Sequence, residues 1–296
     1  MLPRGACSAS ATVVHYTRTV SSDRGRPRQG LTGVYLRPLE DDLVPARHSA
    51  GARNRARQLQ AFLRPLQEVA APVLEPEGAM TLIVAGQSDW RRLCSYPYGL
   101  PFTRNGPGGT SAAIMAAADY QPRFLRRFDE MLLEAGRAGH RAPAHIGEFL
   151  DLMVGHEWGH AVGNLSGLRT RVRWLDELLA SYLFVAALHA THQTHMLERL
   201  SEWTELQVAG TTAYRGDLAD FEYPRSRAGW NKLLWYQGVF TQRALELVPQ
   251  RGWSFPLELR AALPVANRGE LARGLVAVEP SFRPWFAVFG TAQLSS

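Results

Sequence analysis

Two histidines four residues apart, His156 and His160, are the residues of this chain best placed to do chemistry. An α-helix sets residues i and i+4 one turn apart on the same face, so both imidazoles can bind one metal ion. Glu157 follows the first histidine, and in the pattern His-Glu-x-x-His this carboxylate can act as general base toward a metal-activated water. Apolar residues at helical spacing lead into the motif and predict the helix that this geometry requires. They are Ile146, Phe149, Leu150, Met153 and Val154.

The motif is short, and it arises by chance in roughly one chain in a hundred with this histidine content. Gly155 and Gly159 make it more specific. Each glycine costs about 1 kcal/mol in a helix interior relative to alanine. Their presence indicates that a metal, a substrate or another backbone approaches this helix closely.

A catalytic zinc site usually has three protein ligands and one open position. The next predicted helix carries Glu177 among apolar residues, where a carboxylate needs a partner. One interpretation is that Glu177 or Asp176 pairs with Arg171 or Arg173, or faces solvent. The interpretation we favour is that Glu177 completes a His-His-Glu set around one zinc ion.

Two segments together resemble a known family, the gluzincin zinc metallopeptidases of the aminopeptidase-N type. The first is His156-Glu157-x-x-His160, and the second is Trp174-Leu175-Asp176-Glu177-x-x-Ala180-Ser181-Tyr182. The resemblance covers about residues 144–250 and implies that His156, His160 and Glu177 bind zinc while Glu157 is the base. It also implies a zincin-like catalytic domain in a reduced form, similar to small bacterial peptidases.

The chain departs from the family pattern between and within these segments. The sixteen-residue gap between His160 and Glu177 is shorter than usual in the family. Asp176 replaces the usual Asn, and Leu178-Leu179 replaces Gly-Phe.

The same family has a tyrosine on a later helix that stabilises the oxyanion, a role suited to a phenol donor. The segment Trp235-Tyr236-Gln237-Gly238 resembles that region, so Tyr236 is the candidate. A buried core aromatic is the alternative interpretation for Tyr236. Tyr214 and Tyr223, in a polar loop, are the other candidates for the oxyanion role.

The family's Gly-Ala-Met-Glu-Asn substrate strand is absent, so aminopeptidase specificity does not follow from the resemblance. The nearest equivalent here is the stretch that contains Gly109, Thr110 and Ser111. A strand edge at these residues would pair with an extended peptide substrate. The alternative is that they belong to interior sheet.

The pattern of elements predicts an α+β fold with the metal motif near a junction. Residues 1–50 read as a flexible leader, with one possible strand at Leu31–Leu36. Residues 51–143 form a sheet-containing part, and residues 144–296 form a helical part of the same catalytic domain. The predicted elements of the first part are a helix at Ala52–Ala70 interrupted by Pro65, strands at Ala79–Ala85 and Thr110–Ala118, a short helix capped by Ser88, and a helix at Pro122–Ala138. Those of the second part are helices at Ile146–Val162, Trp174–Thr191, His195–Ala209, Trp230–Leu247 and Phe255–Leu263.

Composition adds weaker constraints. The net charge is +6, but Lys232 is the only lysine among 33 basic residues, which indicates coding bias rather than a nucleic-acid surface. The two cysteines, Cys7 and Cys94, have no metal-type spacing. No apolar run suits a signal peptide or a membrane span, so the expected location is the cytoplasm unless a misassigned start hides an export signal.

These observations predict a zinc metallopeptidase that acts on peptides or small proteins. One alternative is hydrolysis of a non-peptide amide or ester by the same centre. Another is a zincin-like domain that binds a partner or DNA without turnover. Glu157 favours catalysis, because a purely structural zinc site needs no base at that position.

Overall fold

A small mixed sheet precedes a larger helical part, which confirms the α+β class. The computed structural model of the chain describes residues 34–137, 139, 146–170, 172–209, 216–222, 230–263 and 268–290. The His-Glu-x-x-His motif lies on the first long helix after the sheet, as predicted.

The sheet has five strands in the order β1-β2-β3-β5-β4. They are β1 (Arg37–Leu39), β2 (Ala46–His48), β3 (Ala79–Ala85), β4 (Phe102–Asn105) and β5 (Ser111–Ala117). The central strands β2, β3 and β5 are parallel, and the two outer strands are antiparallel to their neighbours. Parallel strands buried on both faces carry nearly continuous apolar runs, and for this reason β3 and β5 were visible in the sequence.

The predicted leader, residues 1–50, is corrected over its last third. Residues 1–33 are outside the described range, but β1 and β2 belong to the sheet. Val34–Leu36, the described part of the strand expected at Leu31–Leu36, is not extended into the sheet, which begins at Arg37. A three-residue edge strand with exposed charged residues is too short to give an alternating apolar pattern.

Helices α1 (Arg53–Leu74) and α2 (Gln87–Leu93) each differ from the predicted helix in one detail. The first continues through Pro65, because its buried apolar stripe packs against the sheet and the helical part. The second begins after Gly86, so Ser88 is not its N-cap. The Ser49 hydroxyl instead accepts from the Gly86 N–H at 2.9 Å and donates to the Asp89 carboxylate at 2.6 Å.

The remaining helices form the body around the motif. They are α3 (Pro122–Arg137), α4 (Ile146–Leu165), α5 (Arg173–Ala190), α6 (Thr194–Ala209), α7 (Leu218–Glu222), α8 (Trp230–Arg251), α9 (Ser254–Ala261), α10 (Arg268–Val278) and α11 (Phe282–Phe289). Helix α5 is buried along most of its length and packs on α4 and α8. The periodicity predicted α3, α4, α5, α6, α8 and α9 to within a few residues and missed α7, α10 and α11. Among the described residues, no helix is long and apolar enough to cross a membrane.

Candidate functional site

The site is built on an unusually close contact between α4 and α5. A β-carbon added to Gly159 would lie closer than 3.0 Å to the backbone carbonyl oxygen of Ala180. A β-carbon on Gly155 would similarly overlap the ring of Phe184. The approach of another backbone, as predicted, explains Gly159, whereas Gly155 makes room for the aromatic ring of Phe184, which was not predicted. The contact brings one face of α5 against the histidine face of α4.

His156, His160 and Glu177 meet at this contact. The Nε2 atoms of His156 and His160 lie 3.1 and 3.2 Å from the same oxygen, Oε2 of Glu177. Donor atoms at about 2.0–2.2 Å from a tetrahedral zinc ion are separated from one another by roughly 3.3–3.6 Å. The separations of Glu177 from each histidine are therefore close to those of a zinc shell, and two imidazoles with one carboxylate are a suitable donor set.

Glu177 is the charged group at the centre of this cluster. Its burial by itself raises the pKa of the carboxyl, but His160 and His156 oppose this effect through charge and hydrogen bonding. The balance holds the pKa of Glu177 well below its usual range. The carboxyl is therefore ionised, which is the form that binds a metal.

The Ser181 hydroxyl contacts His156 and is itself in contact with a second hydroxyl. The Ser181 hydroxyl, on α5, lies 3.1 Å from Nδ1 of His156 and 3.2 Å from the Thr241 hydroxyl on α8. The contact with Ser181 orients the ring so that Nε2 faces Glu177, and a metal ion bound there would replace the proton that Nε2 shares with the carboxylate.

Helix α8 turns Gln237, rather than Tyr236, toward the site. The amide nitrogen of Gln237 donates to Oε2 of Glu177 at 2.7 Å. The Tyr236 hydroxyl donates to the backbone carbonyl of Asp217 at 2.6 Å, and its ring packs against Phe221 and Phe240. Successive residues of a helix diverge by about 100°, so only one of the two can face Glu177. The core-aromatic interpretation thus describes Tyr236 in this structure.

The two other tyrosine candidates cannot be placed. Tyr214 and Tyr223 lie outside the described residues.

Glu157 borders the same cleft without taking part in the cluster around Glu177. The residue is 9% exposed. Its carboxylate forms no hydrogen bond or ion pair with the described residues, and its backbone carbonyl accepts from the Thr103 hydroxyl of β4 at 2.6 Å. The carboxylate is thus free to accept a proton from a molecule in the cleft.

The cleft beside these residues has mostly apolar walls, is partly open to solvent and has a cavity volume of about 90 Å³. Its apolar lining comes from Leu100, Pro101, Leu152, Met153, Phe184, Leu200, Trp203, Phe221, Leu233 and Leu234. Its polar lining comes from His156, Glu157, Arg173, Glu177, Ser181, Gln207, Gln237 and Thr241.

The predicted substrate-binding stretch lies elsewhere. Gly109 ends a turn of 3₁₀ helix (Pro107–Gly109), Thr110 follows it, and Ser111 begins β5. None of the three lines the cleft. Strand β5 pairs with β3 on one side and β4 on the other, so it has no open edge for a peptide. The interior-sheet interpretation is therefore correct for β5, and the outer strand beside α4 is β4.

Four polar residues of the cleft were not predicted to belong to the site: Arg173, Ser181, Gln237 and Thr241. The spacing of these residues in the sequence could have identified them. Arg173, Glu177 and Ser181 recur every four residues on α5, and Gln237 and Thr241 do so on α8. Polar residues repeated on one face of an otherwise apolar helix indicate a buried polar surface.

Comparison with known proteins returns no family model, no curated protein and no solved structure that matches this chain.

Proposed function

We propose that this chain is a gluzincin-like zinc metallopeptidase with a zincin-like fold. In this proposal His156, His160 and Glu177 bind one zinc ion, and Glu157 is the general base. The observation that carries it is the convergence of both Nε2 atoms on one oxygen of Glu177, at 3.1 and 3.2 Å, beside a cleft that Glu157 also lines.

The protein's own residues account for the rest of the chemistry. A bound zinc ion would lower the pKa of a water molecule and polarise a carbonyl group. Glu157, with no partner in the described part of the chain, accepts the proton from the attacking water and returns it to the leaving amine. Ser181 and Gln237 hold His156 and Glu177 in position through their hydrogen bonds.

The substrate we propose is a peptide or small protein with large apolar side chains, since most of the cleft wall is apolar. Hydrolysis of a non-peptide amide or ester would use the same groups. A zincin-like domain that only binds a partner is less well supported. A purely structural zinc site needs no general base, whereas Glu157 lies beside the two histidines and lines the cleft.

The test combines metal content with a digest. Purified protein should contain one zinc ion per chain, and a peptide library should be cleaved with apolar residues enriched at the cleaved bond. Removal of the metal with a chelator should abolish cleavage, and added zinc should restore it. Protein that binds no zinc would refute the metal site. Zinc-loaded protein that cleaves esters or acylated amines but no peptide would favour the non-peptide alternative.

Loss of the Tyr236 hydroxyl should affect stability rather than catalysis. Tyr236→Phe leaves the Asp217 carbonyl without its donor, so we expect the free energy of unfolding to fall by about 1 kcal/mol. Peptide hydrolysis should stay within about twofold of wild type. Urea unfolding and kcat on one peptide measure the two effects. A fall in kcat of about 100-fold at unchanged stability would instead indicate that Tyr236 stabilises the oxyanion.

Loss of the Gln237 amide should weaken zinc binding. Gln237→Leu removes the donor to Oε2 of Glu177 while keeping a side chain of similar size. Outer hydrogen bonds to metal ligands typically contribute 10- to 100-fold in affinity, so we expect about that loss in a competition titration with a chelator. Gln58→Leu, at an exposed position of α1, is the control and should bind zinc as wild type does. Equal zinc affinity in wild type, Gln237→Leu and Gln58→Leu would contradict a supporting role for Gln237.

A further inference from the structure

Arg173 is the only arginine or lysine among the described residues that line the cleft. It is the first residue of α5 and stands four positions before Glu177. Residues at this spacing share a helix face and are displaced by about 6 Å along the axis. A positive charge therefore faces the cleft about one helical turn from the proposed metal ligand.

The Arg173 side chain is held in place without being neutralised. One terminal nitrogen donates to the Phe221 carbonyl at 3.2 Å, and the guanidinium carbon lies 5.2 Å from the centre of the Phe221 ring. The adjacent carboxylate, of Glu222, accepts the backbone N–H of Arg173 at 2.8 Å. No carboxylate of the described residues forms an ion pair with the guanidinium. Most of its five N–H donors thus remain available to a ligand.

The cleft that Arg173 lines has mostly apolar walls. They include Leu152, Phe184, Trp203, Phe221, Leu233 and Leu234. An arginine in apolar surroundings interacts more strongly with an anion than it would in water. Its planar fork matches a carboxylate in a bidentate geometry.

We propose that Arg173 binds a carboxylate of the substrate, so that the enzyme prefers peptides with a carboxylate one or two residues from the cleaved bond. This inference rests on the proposed peptidase function. One or two extended residues span about 3.5–7 Å, which is comparable with the helical turn between Glu177 and Arg173. The carboxylate belongs either to the C-terminus of the peptide or to an acidic side chain, and the neighbouring substrate residue is large and apolar.

The first experiment measures binding and needs no turnover. Calorimetry compares N-acetylphenylalanine with its uncharged amide on the zinc-loaded wild type and on Arg173→Met. We expect wild type to bind the acid about 10- to 100-fold more tightly than the amide, and Arg173→Met to lose this preference. Equal binding of acid and amide by wild type would overturn the inference. A preference retained in Arg173→Met would overturn it too, because the metal alone would then be holding the carboxylate.

The second experiment identifies the source of the carboxylate. Three matched peptides are compared by kcat/KM: one with a free C-terminus, one amidated, and one amidated with Glu beside the cleaved bond. Preference for the first assigns the site to the terminal carboxylate, and preference for the third assigns it to an acidic side chain. Equal rates for all three would overturn the inference and leave the peptidase function standing. Cleavage of none of them would count against the peptidase function, and the calorimetry would still decide the role of Arg173.

Three variants control for folding and for general charge. Arg173→Gln keeps a donor toward Phe221 but no charge, and it replaces Arg173→Met if that variant does not fold. It should likewise lose the preference for the acid over the amide. Arg173→Lys keeps the charge without the planar fork and should keep part of the preference. Arg199→Met removes a cation that lines a neighbouring cavity and not the cleft, and it should leave the preference unchanged.

Discussion

Glu157→Gln is expected to lower the rate of peptide hydrolysis by about 10²- to 10⁴-fold and to leave one zinc ion bound per chain. Glutamine has nearly the same shape as glutamate but cannot accept the proton from water. The substitution should not unfold the protein, because the Glu157 carboxylate forms no hydrogen bond or ion pair with the described residues. The measurements are kcat on a peptide, zinc content and the free energy of unfolding in urea.

The same variant separates two possible roles of Glu157. Potential ligand atoms of His156, Glu157 and His160 lie within 4.8 Å of one another, so Glu157 is near enough to the metal position to be considered as a ligand. Loss of zinc from Glu157→Gln would support a ligand role for Glu157 and contradict its assignment as the general base alone. An unaltered rate of hydrolysis would exclude a general base at this position. Glu198→Gln, at an exposed position of α6, is the control and should change neither quantity.

Gly159→Ala is expected to disrupt both stability and metal binding. The new methyl group would lie closer than 3.0 Å to the Ala180 carbonyl oxygen, a backbone atom that can move only if α5 moves with it. Overpacking of this kind costs about 1–3 kcal/mol, which outweighs the gain of about 1 kcal/mol in helix propensity over most of that range. Separation of α4 from α5 would also move Glu177 away from the two histidines, so we expect zinc affinity to fall by at least about 10-fold.

Gly147→Ala provides a matched control on the same helix. A β-carbon at Gly147 meets no atom within 4 Å, so the change should leave stability unaltered or raise it by up to about 1 kcal/mol. Urea unfolding and a zinc titration on both variants make the comparison. If Gly159→Ala binds zinc and resists urea as well as Gly147→Ala does, the close helix contact does not position the ligands.

The part of the site that could be predicted lies within single helices. A spacing of four residues places two side chains on one face whatever the rest of the protein does, so His156 and His160 could be paired from the sequence. Glu177 could be identified as a carboxylate on an apolar helix that requires a partner. The partners it has in the structure are His156, His160 and Gln237.

The predictions that failed concern contacts between elements. Whether Tyr236 or Gln237 faces Glu177 depends on the rotation of α8 about its own axis, and neighbouring core residues set that rotation. The position of β5 inside the sheet depends on the pairing of β4, a four-residue strand in a turn-rich segment. A strand this short carries almost no periodic signal.

By itself, the sequence of this protein determined the α+β class, the helices around the motif, and the three residues proposed as metal ligands. The tertiary structure alone decided that Gln237, Ser181, Thr241 and Arg173 border these residues and that Gly109, Thr110 and Ser111 do not. The reason is physical. Helical spacing is a local property of the backbone, whereas the approach of α4, α5 and α8 depends on how side chains far apart in the chain pack together.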